Sequence, residues 1–210
     1  MLLDADYSAM ELRLLADLGK DPTFLEIFEK DLDPHSVVGT MITGKEIRKK
    51  GALGPGDPGI NSELRDPVKS LNFMICYGGG PKKLSDKTGL DYKTCRRFID
   101  EYWKRFPSNR KFFDDFVTES IEAKCVRSKY DGRLRWLDGF DFDNPAHVSH
   151  VRNLCMNFNM QSGNASITKL ALVKLRTAVK DTPCKIVATI HDKFLLCLNH
   201  FNCWKPSLGF

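Results

Sequence analysis

Two aspartates and one helix carry the residue types from which phosphate chemistry is built. Asp6 closes a short apolar opening segment, and Asp192 sits in a β-turn-β segment near the other end of the chain. Carboxylates on rigid strands suit a pair of divalent cations that bridges an attacking and a leaving oxygen. Acids so far apart in sequence converge only if their strands are neighbours in one sheet. By spacing alone, a strand-end aspartate is more often a turn or cap residue than a metal ligand. Between the two acids, Arg65, Lys69, Phe73 and Tyr77 recur every four residues. A helix holds about 3.6 residues per turn, so this period keeps them on one slowly drifting stripe. Its two cations suit phosphates, its first ring a sugar or base, and Gly78 beyond its second ring allows another chain to approach. A solvated basic half followed by a buried aromatic half is the commoner outcome for such a pattern.

The surrounding elements must position these groups. Met1 to Asp6 reads as a buried strand at a sheet edge. In SAMELRLLADLG, Met10, Leu14 and Leu18 share a helical face; Ser8 reads as the N-cap, Glu11 completes a capping box and Gly19 stops the helix. Thr23 to Lys30 and His35 to Ile42 read as short helices. The stretch GALGPGDPGIN, residues 51–61, is a surface loop. Ser62 to Tyr77 follows as a helix that tolerates Pro67 only near its first turn, and Gly78, Gly79 and Gly80 break it. Asp91 to Phe106 and Ser108 to Lys124 are amphipathic helices divided by Pro107. Lys129 to Trp136 suggests a hairpin around Asp131-Gly132. His147 to Leu175 is a long helical region with an interruption near Gly163. Lys185 to Leu198 is β-rich with His191-Asp192 at its turn.

Composition sets wide bounds. The 210 residues suffice for one domain, or for one domain with a helical subdomain. A formal net charge of +5 favours a polyanionic partner without establishing one. Seven scattered cysteines with no CxxC pair read as reduced thiols. With no signal pattern and no membrane-length apolar run, a soluble intracellular protein is expected, with no membrane partner.

Five segments, in order, resemble the conserved blocks of family A DNA polymerases: DYSAMELRLLADLGKDP, DPHSVVG, RDPVKSLNFMICYG, MQSGNASITKLALVKL and TIHDK. The first is similar to motif A, the third to motif B and the last to motif C. FIDEYWKRFP and YDGRLRW between them also resemble that family, so the likeness runs from residue 2 to about 198. It implies an α+β fold of the right-hand polymerase type: an antiparallel-sheet palm carrying the catalytic acids, and a helical fingers subdomain. The implied domains are palm at 1–40, fingers at 41–130 with the motif B helix at 62–78, and palm again at 131–210.

The resemblance also implies roles. Asp6 and Asp192 would be the catalytic metal ligands, helped by the backbone carbonyl of Tyr7, and would hold two Mg²⁺ ions with Mn²⁺ as an alternative. Glu11 would be the steric gate that crowds a ribose 2′-hydroxyl. Arg65 and Lys69 would bind the triphosphate, with Lys69 placed to protonate pyrophosphate. Phe73 would pack on the incoming nucleotide and Tyr77 beside the templating base. His35 would contact the triphosphate; His191, Asn157, Gln161 and Arg133 would contact DNA. Implied partners are primer-template DNA and deoxynucleoside triphosphates. The implied setting is the cytoplasm of a bacterium or a phage-infected cell.

Some features depart from that pattern. Lys193 stands where motif C carries an acid, so a cation lies beside the metals and weakened catalysis is expected unless its side chain turns away. Asn153 replaces a common arginine, and residues 51–61 read as an insertion. The chain begins in the motif A strand and runs eighteen residues beyond Asp192, and its ending NHFNCWKPSLGF has no counterpart. A polymerase core lacking the thumb is therefore expected: a fragment, split product or decayed copy, with a separate or upstream thumb or exonuclease polypeptide as partner. The palm sheet would then show an open edge. Two alternatives stand beside a working DNA polymerase: a catalytically impaired DNA-binding remnant, and a single-subunit RNA polymerase.

Overall fold

The structure, a computed structural model, describes residues 1–198. The closing segment singled out in the sequence lies outside the described residues. β1 (Leu2–Asp6) leads into α1 (Met10–Gly19), α2 (Pro22–Glu29) and α3 (Pro34–Thr43). A loop and one 3₁₀ turn at Ser62–Leu64 precede α4 (Arg65–Cys76), α5 (Pro81–Thr88), α6 (Tyr92–Arg105) and α7 (Pro107–Glu122). A small hairpin, β2 (Cys125–Arg127) with β3 (Leu134–Trp136), then gives way to α8 (Pro145–Val179), β4 (Cys184–Ile190) and β5 (Lys193–Leu198).

The chain's two ends meet in a three-stranded antiparallel sheet of order β1-β5-β4. β5 is central. Its Phe194 and Leu196 are buried, so alternate residues point inward while Lys193 and Leu195 take the opposite face. Register pairs Asp4 with Leu195 and Asp6 with Lys193, which puts both aspartates on that outward face. The buried strand expected from residues 1–6 is corrected here: Leu2, Leu3, Asp4 and Asp6 are all exposed.

The helices close around one main core. Leu12, Leu15 and Ala16 of α1 join Leu71 and Ile75 of α4, with Phe24, Tyr102 and Phe106 packed edge-to-face beside them. A second cluster, Phe116, Val117, Val126, Val151 and Cys155, ties α7 and α8 to the β2–β3 hairpin. Cys76, Cys95, Cys125, Cys155 and Cys184 carry free thiols.

Two local expectations, a capping box on α1 and a break at Gly163, are overturned by packing. Ala9, in the left-handed region, occupies the cap of α1 and no side chain caps the helix, so Ser8 and Glu11 form no capping box. The helix does end at Gly19, as expected, although Lys20 and not the glycine takes the left-handed position beyond it. What requires the glycine is α7: a Cβ there would lie 1.9 Å from Asn109 Oδ1. Helix α8 passes Gly163 without interruption; a Cβ at that point would meet the Tyr130 ring at 2.5 Å, so the glycine makes room for that ring. Both glycines serve close approach, and only Gly19 also stands at the end of its helix. The hairpin also starts earlier than expected, at Cys125, with Lys129 inside its turn.

Candidate active site

Asp6 and Asp192 converge because β1 and β5 are neighbours. Asp6 stands directly opposite Lys193, the residue after Asp192. Ile190 pairs with Lys193, leaving His191 and Asp192 as a two-residue connection, with His191 at φ +59°. Asp192 keeps 17% of its side chain exposed and lies 3.0 Å from His191 Nδ1. Asp6 is more open, at 45%. The Tyr7 ring packs edge-on against Phe194, 6.3 Å between centroids, which anchors the backbone next to Asp6.

Lys193 does not turn away. Its ammonium lies 3.3 Å from Asp6 Oδ2 and 3.8 Å from Asp4 Oδ2. The hydrogen bond to Asp6, then the charges of Asp4, Asp6 and Asp192, hold the lysine above its ordinary range. Among the described residues no three acids, histidines or cysteines gather into a metal cage. The oxygens of Asp6, Asp192 and Tyr7 are nevertheless of the type an oxygen-seeking divalent ion takes, and such an ion would need its other ligands from substrate and water. An ammonium resting on Asp6 marks a seat that favours positive charge.

The α4 stripe follows the less buried side of its helix throughout. Val68, Leu71, Asn72, Ile75 and Cys76 face the interior, whereas Lys69 is exposed and Arg65, Phe73 and Tyr77 are half-buried. The commoner arrangement, with the rings sunk in the core, is therefore not the one found. Arg65 gives Asp33 two hydrogen bonds, from Nε at 2.9 Å and Nη2 at 2.7 Å. Burial alone would raise the Asp33 carboxyl; the bonds from Arg65 and Ser36 outweigh it and hold the group well below the usual carboxylate range. Asp33 also caps α3 through the Ser36 amide, so one side chain fixes both the start of that helix and the guanidinium. His35 is buried, 3.0 Å from Asn72 Nδ2, and its ring lies 5.7 Å from that of Phe73. Burial, then the charges of Arg65 and Lys69, push its pKa down to about 4.

Tyr77 joins three elements. Its hydroxyl donates to Glu11 Oε1 at 3.1 Å and accepts from Gln161 Nε2 at 3.0 Å. Glu11, only 6% exposed, thus finds its partner across the fold and not at its own helix end. Burial and then Glu11 raise the phenol's pKa above its ordinary value. Gly78, at φ +69°, admits the chain's own α8: a Cβ there would lie 2.6 Å from Asn153 Oδ1. Tyr77, Asn157 and Gln161 line a groove of about 1100 Å³, with Lys82, Lys83 and Arg135 along it. Arg133 stands apart, bound to Ser166 Oγ at 2.7 Å and Asp131 Oδ2 at 2.6 Å.

The sequence reading missed Asp4, Asp33, Asn72 and the groove lysines. Asp33 had a signal, an aspartate before proline at a helix start, and Asp4 had one in its alternation with Asp6; the others reveal themselves only through long-range packing.

A sequence model described as DNA polymerase family A matches residues 1–203. The DNA polymerase I of Thermus filiformis is 30% identical over 201 residues, and that of Caldicellulosiruptor bescii 27% identical over 198. Each alignment covers 93% of this chain but 22% of the relative, so the chain spans about a fifth of their length. Among solved structures, the polymerase domain of Pol1 from M. smegmatis, in complex with DNA primer-template and dNTP, superposes with a TM-score of 0.79 at 25% identity. That match covers 95% of this chain and 34% of the other. Mixed helices on an antiparallel sheet, matching a polymerase domain, define the class. The chain belongs to DNA polymerase family A.

Proposed function

We propose that this chain is the palm and fingers core of a template-directed DNA polymerase, joining deoxynucleotides to a primer 3′-hydroxyl, and that it is part of a larger polymerase assembly. The observation that carries this reading is the pairing of β1 with β5, which sets Asp6 one residue across from Asp192. In it, residues 1–40 and 131–210 form the palm, 199–210 lying outside the described residues, and 41–130 the fingers. Asp6, Asp192 and the Tyr7 carbonyl would hold two Mg²⁺ ions, which when bound lower the barrier to attack and neutralise the phosphate charge.

The remaining roles belong to the chain's own side chains. Arg65, clamped by Asp33 through Nε and Nη2, keeps its other nitrogen for a phosphate oxygen. Lys69 lies exposed one turn further along, placed to bind the triphosphate and to give a proton to the leaving pyrophosphate. His35 is held neutral by burial, so it would meet a phosphate as a hydrogen-bond partner and not as a fixed charge. Phe73 would pack on the incoming sugar and base. Tyr77, braced by Glu11 and Gln161, would flank the templating base, and Glu11 would crowd a 2′-hydroxyl. Asn157, Gln161, His191 and Arg133 would touch the duplex. Primer-template DNA and deoxynucleoside triphosphates are the partners this arrangement suits; the M. smegmatis domain was solved with both.

The ion pair of Lys193 with Asp6 favours one second reading, a DNA-binding chain with impaired turnover. Single-turnover extension of a primed template by the purified chain separates them. Metal-dependent addition of dNTPs well above rNTPs, with that preference reduced in Glu11→Ala, is expected. Salt-sensitive template binding with no addition would establish the impaired reading, and equal use of rNTPs would point to an RNA polymerase.

A further inference from the structure

We propose that Lys193 is an internal counter-cation of the candidate metal site, resting on Asp6 until a divalent ion displaces it and then withdrawing to Asp4. Lys193 and Asp4 together would set how readily the site loads. The inference rests on the polymerase reading of Asp6 as a metal ligand.

The geometry is that of two neighbouring strands. Asp6 and Lys193 are direct cross-strand partners, and Asp4 stands two residues away on the same outward face. Directly opposed side chains have Cβ atoms about 5 Å apart, and the diagonal neighbour remains within reach of a long one. The ammonium lies between the acids, at 3.3 Å from Asp6 and 3.8 Å from Asp4. Among the described residues neither acid has another ion-pair partner. A lysine head on a four-carbon stem exchanges between such neighbours with little rearrangement.

A divalent ion approaching Asp6 meets a carboxylate already neutralised and a like charge in its path. Loading then requires the ammonium to leave. Asp4 gives it an acceptor that is not itself opposite the metal turn. Asp192, one residue before Lys193, has its oxygen beside His191 and is the ligand left to greet the ion first. An exposed pair of this kind adds little to folding stability. Its effect falls on metal affinity, where a single charge at contact range counts about tenfold.

The competing explanation is an ordinary surface ion pair, with Asp4 acting only through its general field. A double-mutant cycle separates the two. Mn²⁺ binding to the full chain, without DNA or nucleotide, is followed by loss of the free-ion electron paramagnetic resonance signal. K193Q, and K193M as an uncharged variant that keeps the stem, are expected to tighten Mn²⁺ about tenfold. D4N is expected to weaken binding several-fold in the wild-type chain and about twofold or less in the K193Q background. Unchanged affinity in both Lys193 variants, or an equal effect of D4N in the two backgrounds, would overturn the proposal. D6N in the K193Q background tests the underlying reading separately. Should that change leave Mn²⁺ affinity untouched, Asp6 is no ligand and the polymerase site itself fails.

Discussion

At the scale of single residues, partners override the roles suggested by neighbours in sequence. Glu11 reads as a capping residue because it stands three after Ser8, yet its carboxylate accepts from Tyr77, 66 residues away. His35 makes a quantitative case. Its ordinary pKa is 6.5 and its folded value about 4, so between those values the unfolded chain binds a proton that the folded chain refuses. Stability from this source is complete above pH 6.5 and is lost as pH falls towards 4. The full effect is on the order of 3 kcal/mol. Asp33 acts the same way lower down: its carboxyl is depressed, so its contribution is present above its ordinary value of 3.8 and fades as acid reaches its folded value. Urea midpoints measured at pH 7 and pH 4.5 should drop steeply for the wild type and less for His35→Gln. Parallel losses in the two proteins would contradict the assignment.

Among elements, the strands and helices were largely legible and their couplings were not. The period-four stripe gave α4, Pro107 gave the break between α6 and α7, and β-rich text around His191-Asp192 gave the β4–β5 hairpin. The stop read at Gly19 coincides with the end of α1, whereas Gly163 reads as a break because a glycine inside a helical pattern commonly weakens it; only tertiary packing distinguishes a break from a groove for a neighbour. The exposure of β1 was equally hidden. Alternation along LLDAD puts two acids on one face, but nothing local says which face meets the core. The glycine argument has a direct check. Gly19→Ala should destabilise the chain by about 2 kcal/mol, since α1 must move away from the backbone and side chain of Asn109. Thermal unfolding of G19A, N109A and the double variant measures it; part of the loss should return in the double. A G19A protein as stable as wild type would show that α1 and α7 do not approach as closely as described.

For the whole molecule, the central fact is a chain whose first and last described strands lie side by side. Phosphoryl transfer asks for carboxylates held rigidly together, and a sheet joining distant segments supplies that more reliably than a loop. The candidate ligands Asp6 and Asp192 were legible as types, and their meeting was legible as a requirement. The lysine on Asp6 was legible as a charge in the wrong place, and only the register shows that it stays there. The end of α4 meets α8 at Tyr77 and Gln161, so the last residue of the stripe reaches the groove. The most direct test of this account is single-turnover addition of one dNTP to a primed template by the wild-type chain, Asp6→Asn and Asp192→Asn. Each variant should lose at least about a thousandfold in rate while binding primer-template as the wild type does. Addition by either variant at the wild-type rate would contradict the claim that these two carboxylates form one catalytic site.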